Sequence, residues 1–188
     1  MIIFDLDTLA DCEHRKHFII KHVACDHWHK IPNHPVDMCN DCKERWRKWK
    51  PDYQSFNDAC DKDTVIDPVM RTFSRYWIGE KPCHVEIWAD RYESSREKTL
   101  NWFLDSYFFG LFDHEKKVLN SILKMRPIDD NTPYHELKEK WLDDTYEDYK
   151  FGPKTNIEFV FDNDAESIKM WKKRGIFVFD CNQNDKRF

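Results

Sequence analysis

Met1-Ile2-Ile3-Phe4-Asp5-Leu6-Asp7-Thr8-Leu9 opens the chain. Ile2 to Phe4 is a short apolar run that stops at a carboxylate. Such a run reads as a buried strand, and the polar residues after it mark the strand's carboxyl end. A second stretch has the same form: Asn156 to Phe161, then Asp162-Asn163-Asp164. Acidic groups ending neighbouring strands would repel one another unless a cation lay between them. Mg²⁺ suits such a place, because it takes carboxylate oxygens, water and phosphate oxygens together.

Outward from these two stretches, strands and helices alternate. Asp67-Pro68 starts a helix, with Asp as cap and Pro in the first turn, and Gly79 ends it. Val69, Phe73 and Trp77 recur on one face. Cys83 to Trp88 reads as a strand, Glu93 to Phe109 as an amphipathic helix, and Ile122 to Met125 as a strand. A helix follows from Thr132-Pro133 through Tyr149. After the Asn156 to Phe161 strand come a helix over Asp164 to Arg174, a stop at Gly175 and a last strand over Ile176 to Asp180. This alternation predicts an α/β fold, a parallel sheet with helices on both faces. In such sheets the sites lie at the carboxyl ends of strands. The residues to watch are therefore Asp5, Asp7, Asp90, Arg91, Arg126, Asp162, Asn163 and Asp164.

Bulk properties narrow the function. The chain has 188 residues with a formal net charge of −5. That length suits one domain with an insertion, and that charge disfavours extended binding along a phosphate backbone. No stretch approaches the apolar length of a membrane span. The N-terminus lacks the charged and apolar regions of a signal peptide, so a cytoplasmic protein is expected. Seven Cys cannot all pair internally, which argues against a full disulfide framework. No Gly-x-x-x-x-Gly-Lys-Ser/Thr loop occurs, so kinase chemistry has no support.

Four segments together resemble the motifs of the haloacid dehalogenase (HAD) superfamily. They are Ile3-Phe4-Asp5-Leu6-Asp7-Thr8-Leu9-Ala10-Asp11, Ile87-Trp88-Ala89-Asp90-Arg91, Met125-Arg126-Pro127 with Asp130 and His135-Glu136-Leu137-Lys138, and Phe161-Asp162-Asn163-Asp164 with Met170-Trp171 and Gly175. The combination is most similar to the phosphatase domain of phage polynucleotide kinase-phosphatases and their small stand-alone phage relatives, over residues 1–20 and 65–188. The resemblance implies a Rossmann-like core with a five-stranded parallel sheet, built from residues 1–20 and 67–188, with 21–66 as a cap-like insertion. It also implies a Mg²⁺-dependent phosphatase acting on a nucleotide or a polynucleotide 3′-phosphate, in the host cytoplasm if phage-encoded. Asp5 would be the nucleophile, forming an aspartyl-phosphate, and Asp7 the general acid and base. Lys138 would neutralise the nucleophile and the phosphoryl oxygens. Asp5, Asp7, Asp162 and Asn163 would hold Mg²⁺. Arg91, Arg126 and Thr8 would bind substrate.

Three positions depart from the family pattern. The glycine that follows the second Asp of the first motif is missing, since Asp7 is followed by Thr8-Leu9. Ala89-Asp90 stands where a hydroxyl residue and glycine precede Arg91. Asn163 replaces a carboxylate. These changes keep a second reading open: a catalytically weakened or inactive HAD-fold protein used as a binding module.

Residues 21–66 differ in texture, being rich in His, Cys, Trp, Asn and Pro. Lys43–Trp49 and Tyr53–Cys60 read as short helices. Cys25, His27 and His29 with Cys39 and Cys42 are candidate ligands for a structural Zn²⁺, since Cys-x-x-Cys is a frequent half of a tetrahedral site. Chance clustering among seven Cys and nine His is the other reading. By the same resemblance this insertion would lie over the pocket. Trp28, Trp46, Trp49 and Tyr53 are candidates for stacking on a base. Packing within the insertion is the plainer role for these rings.

Overall fold

The computed structural model describes residues 1–20, 39–78, 84–107, 113–146 and 157–182. Seven strands occur among them: β1 (Ile2–Asp5), β2 (Ala10–Asp11), β3 (Thr64–Val65), β4 (Val85–Tyr92), β5 (Leu123–Arg126), β6 (Phe159–Asp162) and β7 (Val178–Asp180). The helices are α1 (Asn40–Lys48), α2 (Tyr53–Asp58), α3 (Asp67–Ile78), α4 (Arg96–Tyr107), α5 (Asp113–Ile122), α6 (Tyr134–Tyr146) and α7 (Ala165–Lys173). Five strands form one parallel sheet in the order β5-β4-β1-β6-β7, and β2 pairs with β3 as a short antiparallel ribbon. This is the α/β architecture expected, a parallel sheet flanked by helices.

Alternation along the central strands sorts their side chains to two faces. Ile2 and Phe4 belong to a core with Met70, Phe73, Leu100 and Phe103 of α3 and α4. Ile3 belongs to the opposite core, with Leu137, Trp141, Met170 and Trp171 of α6 and α7. Asp5 follows Ile3 by two residues and so shares the α6/α7 face. On β6, Val160 packs in that same core, which puts Asp162 on the same face again. Phe4 pairs with Phe161 across β1 and β6, and their rings stack at 4.6 Å. The two carboxylates that end these strands are thus level and on one side.

One strand runs past its expected end. Asp90 and Arg91 lie inside β4 rather than after it, because a register shift between Ala89 and Tyr92 carries the strand on to Tyr92. The irregularity inserts two extra residues, Asp90 and Arg91, without ending the pairing. After β2 the chain forms a 3₁₀ segment over Glu13–Phe18. Among the described residues, no helix is long and apolar enough to cross a membrane.

Candidate active site at the carboxyl ends of the central strands

Asp5 ends β1 and caps a 3₁₀ turn over Leu6–Thr8, its Oδ1 accepting from the Asp7 backbone N–H at 2.9 Å. The side chain of Thr8 is buried and donates to the Asp5 carbonyl at 2.7 Å. The turn therefore closes without glycine. No φ in it is positive, and Asp7 is carried into the lining of a cavity.

Lys138, from α6, lies between the two central strand ends. Its Nζ is 2.7 Å from Asp5 Oδ2 and 2.7 Å from Asp162 Oδ2, so those two oxygens are within twice that distance of each other. The Asp162 pair is a hydrogen bond. The Asp5 pair is at ion-pair distance, and Asp5 Oδ2 has no hydrogen-bond donor of good geometry although it is buried. Trp171 Nε1 donates to Asp162 Oδ2 at 2.8 Å, and the Asp164 backbone N–H donates to Oδ1 at 3.0 Å. The Lys138 ammonium also sits 3.9 Å from the centre of the Tyr134 ring, a cation–π contact. Asn163 Nδ2 donates to the Asp7 carbonyl at 3.1 Å and ties the end of β6 to the turn after β1.

One cation among several buried carboxylates leaves a surplus of negative charge. Burial pushes the Asp162 carboxyl up to about 6, with Asp5 adding to the shift and Lys138 opposing it. Burial pushes Asp7 up to about 7, with Asp5 adding and Arg91 and Arg15 opposing. Burial acts to lower Lys138, but the charges of Asp5 and Asp162 outweigh it and its pKa is raised. Tyr134 is held well above its usual value by burial and by the surrounding carboxylates, so it stays neutral.

The cavity in front of Asp7 has a volume of about 550 Å³ and is bordered by the 3₁₀ segment 13–18, α2, the end of β4 and the loop 126–134. That loop is wrapped around Arg126. Its guanidinium pairs with Asp90 at 2.6 Å and donates to the carbonyls of Asp130 at 2.9 Å and Thr132 at 2.6 Å. Arg91 is paired with Asp63, and Asp63 also receives Arg15 through bonds of 2.7 and 2.8 Å. Both expected substrate-binding arginines therefore reach the cavity with an internal carboxylate already beside them. Thr8 does not line the cavity.

The chain is similar in fold to a chain in a structure of the Pnkp1/Rnl/Hen1 complex, with a TM-score of 0.53 and 15% identity over 96% of this chain and 45% of that one. A chain in a structure of the Pnkp1/Rnl/Hen1 RNA repair complex matches with a TM-score of 0.52 and 15% identity, over 95% of this chain and 41% of that one. This chain thus spans less than half the length of either. At this identity the likeness is one of fold. No family model and no curated protein matches the sequence.

For a divalent cation the donors present are oxygens. Among the described residues no three His, Cys, Asp or Glu side chains converge as a ligand set. A cation here would rest on the carboxylates of Asp5 and Asp162. Two carboxylates suffice for Mg²⁺, which keeps several waters, and a pair of buried carboxylates sharing a single ammonium fits it. Of the zinc candidates, Cys25, His27 and His29 lie outside the described residues. Cys39 is half-buried, and Cys42 is buried with Arg45 Nη2 at 3.0 Å from its sulfur.

Arg15, Asp63, Tyr134 and Trp171 also belong to the site or its wall, and sequence reasoning assigns none of them a role there. Trp171 falls within the fourth HAD-like segment, but a tryptophan on an apolar helix face reads first as core. Asp63 and Arg15 lie in stretches with no clean period, and nothing in the sequence pairs them.

Proposed function

We propose that this chain is a Mg²⁺-dependent phosphomonoesterase of HAD type, acting on a nucleotide or a polynucleotide 3′-phosphate through an aspartyl-phosphate. One observation carries the reading. Lys138 bridges Asp5 and Asp162, while Asp7, two residues on from Asp5, lines the cavity with a pKa pushed up to about 7. The likeness in fold to a chain of an RNA repair complex supports a substrate of nucleic-acid type.

In this reading an Asp5 oxygen attacks phosphorus and a new O–P bond forms. The bond to the leaving oxygen breaks, and protonated Asp7 gives that oxygen its proton. Ionised Asp7 then takes a proton from water. The resulting hydroxide attacks phosphorus, the Asp5–phosphorus bond breaks, and inorganic phosphate leaves. A side chain with a pKa near 7 can serve both steps. Lys138 offsets the charge of Asp5 and of the phosphoryl oxygens. Mg²⁺ on Asp5 and Asp162 would supply electrostatic stabilisation of the phosphoryl charge when bound. Arg91 and Arg126 would hold the substrate, releasing part of their internal pairing to do so.

That internal pairing favours the second reading, a weakened relative used for binding. Asp63 and Asp90 already share the charge of the two arginines. Turnover decides between them. With Mg²⁺, the purified protein is expected to release phosphate from 3′-phosphorylated oligonucleotides or nucleoside monophosphates, with release abolished by EDTA and by Asp5→Asn. If a broad panel of phosphomonoesters yields none, the enzyme reading falls.

A further inference from the structure

The cavity in front of Asp7 is lined by apolar as well as ionic residues. Tyr53 is the first residue of α2 and is 50% exposed, and Ile20 at the end of the preceding segment is 48% exposed. Five large apolar side chains are exposed among the described residues, and these two border the same cavity. Single exposed apolar residues need no explanation. Ile20 and Tyr53, with Ile19 and Phe56, give the cavity an apolar share of its lining beside the charged and polar groups of Arg15, Lys16 and Asn57. Ligand pockets commonly combine these two characters.

The wall is also held rigidly. Asp52 caps α2 through the Ser55 N–H at 2.9 Å, and its own N–H donates to the Phe18 carbonyl at 2.9 Å. Asn57 donates to the Tyr53 carbonyl at 2.7 Å and accepts from the Tyr92 N–H of β4 at 3.1 Å. Arg15 donates to the Phe56 carbonyl at 2.9 Å and its guanidinium lies 4.0 Å from the centre of the Phe56 ring. Helix α2 is thereby fastened to the 3₁₀ segment and to β4, and Tyr53 is left with half its surface free. A fixed aromatic ring with a free face is suited to receive a flat π-system at little entropic cost.

We propose that Tyr53, with Ile20 and Phe56 beside it, forms a nucleobase-stacking subsite that selects nucleoside phosphates over phosphomonoesters lacking a base. The inference rests on the phosphatase reading for the orientation of the ligand, phosphate toward Asp7 and base toward α2. Of the other candidates for stacking among the described residues, Trp46 packs against Cys42, and neither it nor Trp49 lines the cavity.

The test compares adenosine 3′-monophosphate with glycerol 2-phosphate. The wild type is expected to prefer the nucleotide in kcat/KM. Tyr53→Ala is expected to cut that preference about 5- to 150-fold, the range that loss of one stacked base implies. The loss should sit in KM, and Tyr53→Phe should restore the preference. Phe177→Ser, an exposed apolar position outside the cavity lining, should leave it intact. Equal handling of the two substrates by the wild type, or a preference that survives Tyr53→Ala, overturns the subsite. If neither substrate is turned over, the phosphatase reading fails, and binding of adenosine followed by NMR then decides the subsite alone. Binding weakened by Tyr53→Ala supports it, and no binding, or binding indifferent to that change, overturns it.

Discussion

At the scale of single residues, the site is an imbalance of charge held in place by burial. Asp5, Asp162 and Lys138 are each at most 2% exposed, and one ammonium serves two carboxylates. Asp7 feels the remainder. Its folded pKa of about 7 lies above the ordinary aspartate value of 3.8, so the folded protein binds more protons than the unfolded chain between those two values. Stability from this group is therefore lost as pH rises through that window, and the loss is complete above about 7. Replacing Asp7 by the neutral isostere Asn removes the cost. In EDTA, Asp7→Asn is expected to be more stable than the wild type at pH 8. The advantage should shrink as pH falls through 7 and vanish near pH 4. Urea unfolding midpoints of the two proteins across that range measure it, and a gap independent of pH would show that Asp7 is not held in a protonated state. The placement of Asp5 and Asp7 was legible because a buried apolar run that stops at carboxylates marks a strand end opening on a polar place. The pairing of Arg91 with Asp63 was not legible, since it joins residues far apart in sequence whose meeting depends on the completed sheet.

Among the elements, legibility followed the strength of the local signal. Helix α3 begins at Asp67-Pro68 as expected, and α7 runs from Ala165 with Asp164 as its cap. Each has an acidic residue at its start and an apolar stripe along one side, although the Asp67 carboxylate pairs with Arg71 one turn on. The β2–β3 ribbon was not foreseen, because two residues per strand are too few to show a period. Helix α5 likewise lacked a recognisable start signal. The extension of β4 through Asp90 and Arg91 was missed because two charged residues in succession read as the end of a strand. Asp164 illustrates how one position can serve an element and the site at once. Its Oδ2 accepts from the Ser167 N–H at 2.7 Å, while its backbone N–H holds Asp162 Oδ1. Asp164→Ala removes the cap and leaves the backbone bond. A loss of about 1 kcal/mol is expected, read as a lower urea midpoint, with Asp164→Asn close to the wild type. A loss equal in both variants would mean that the capping bond contributes nothing.

Across the whole molecule, the sheet and the cavity wall are joined at Asp63. Its side chain receives Arg15 from the 3₁₀ segment and Arg91 from β4, and its carbonyl accepts from Trp102 Nε1 of α4 at 2.7 Å. Arg91 Nη1 also reaches Thr99 of α4 at 3.4 Å. Asp63 precedes β3, so residues read as the end of an insertion are bound directly to the strand that carries Asp90. Removing one partner from a buried ionic group costs far more than the group contributes intact, because the remaining charges stay out of water. Asp63→Ala would leave two buried guanidinium groups with no carboxylate between them. A loss of about 3–5 kcal/mol is expected, visible as a marked fall in the urea midpoint. The triple replacement Arg15→Met, Asp63→Leu and Arg91→Met should recover much of that loss, since an apolar group of similar volume has no charge to desolvate. If the single replacement cost less than about 1 kcal/mol, well below the range for a broken buried pair, Asp63 would not be the joint that holds α2 and the cavity wall to the sheet.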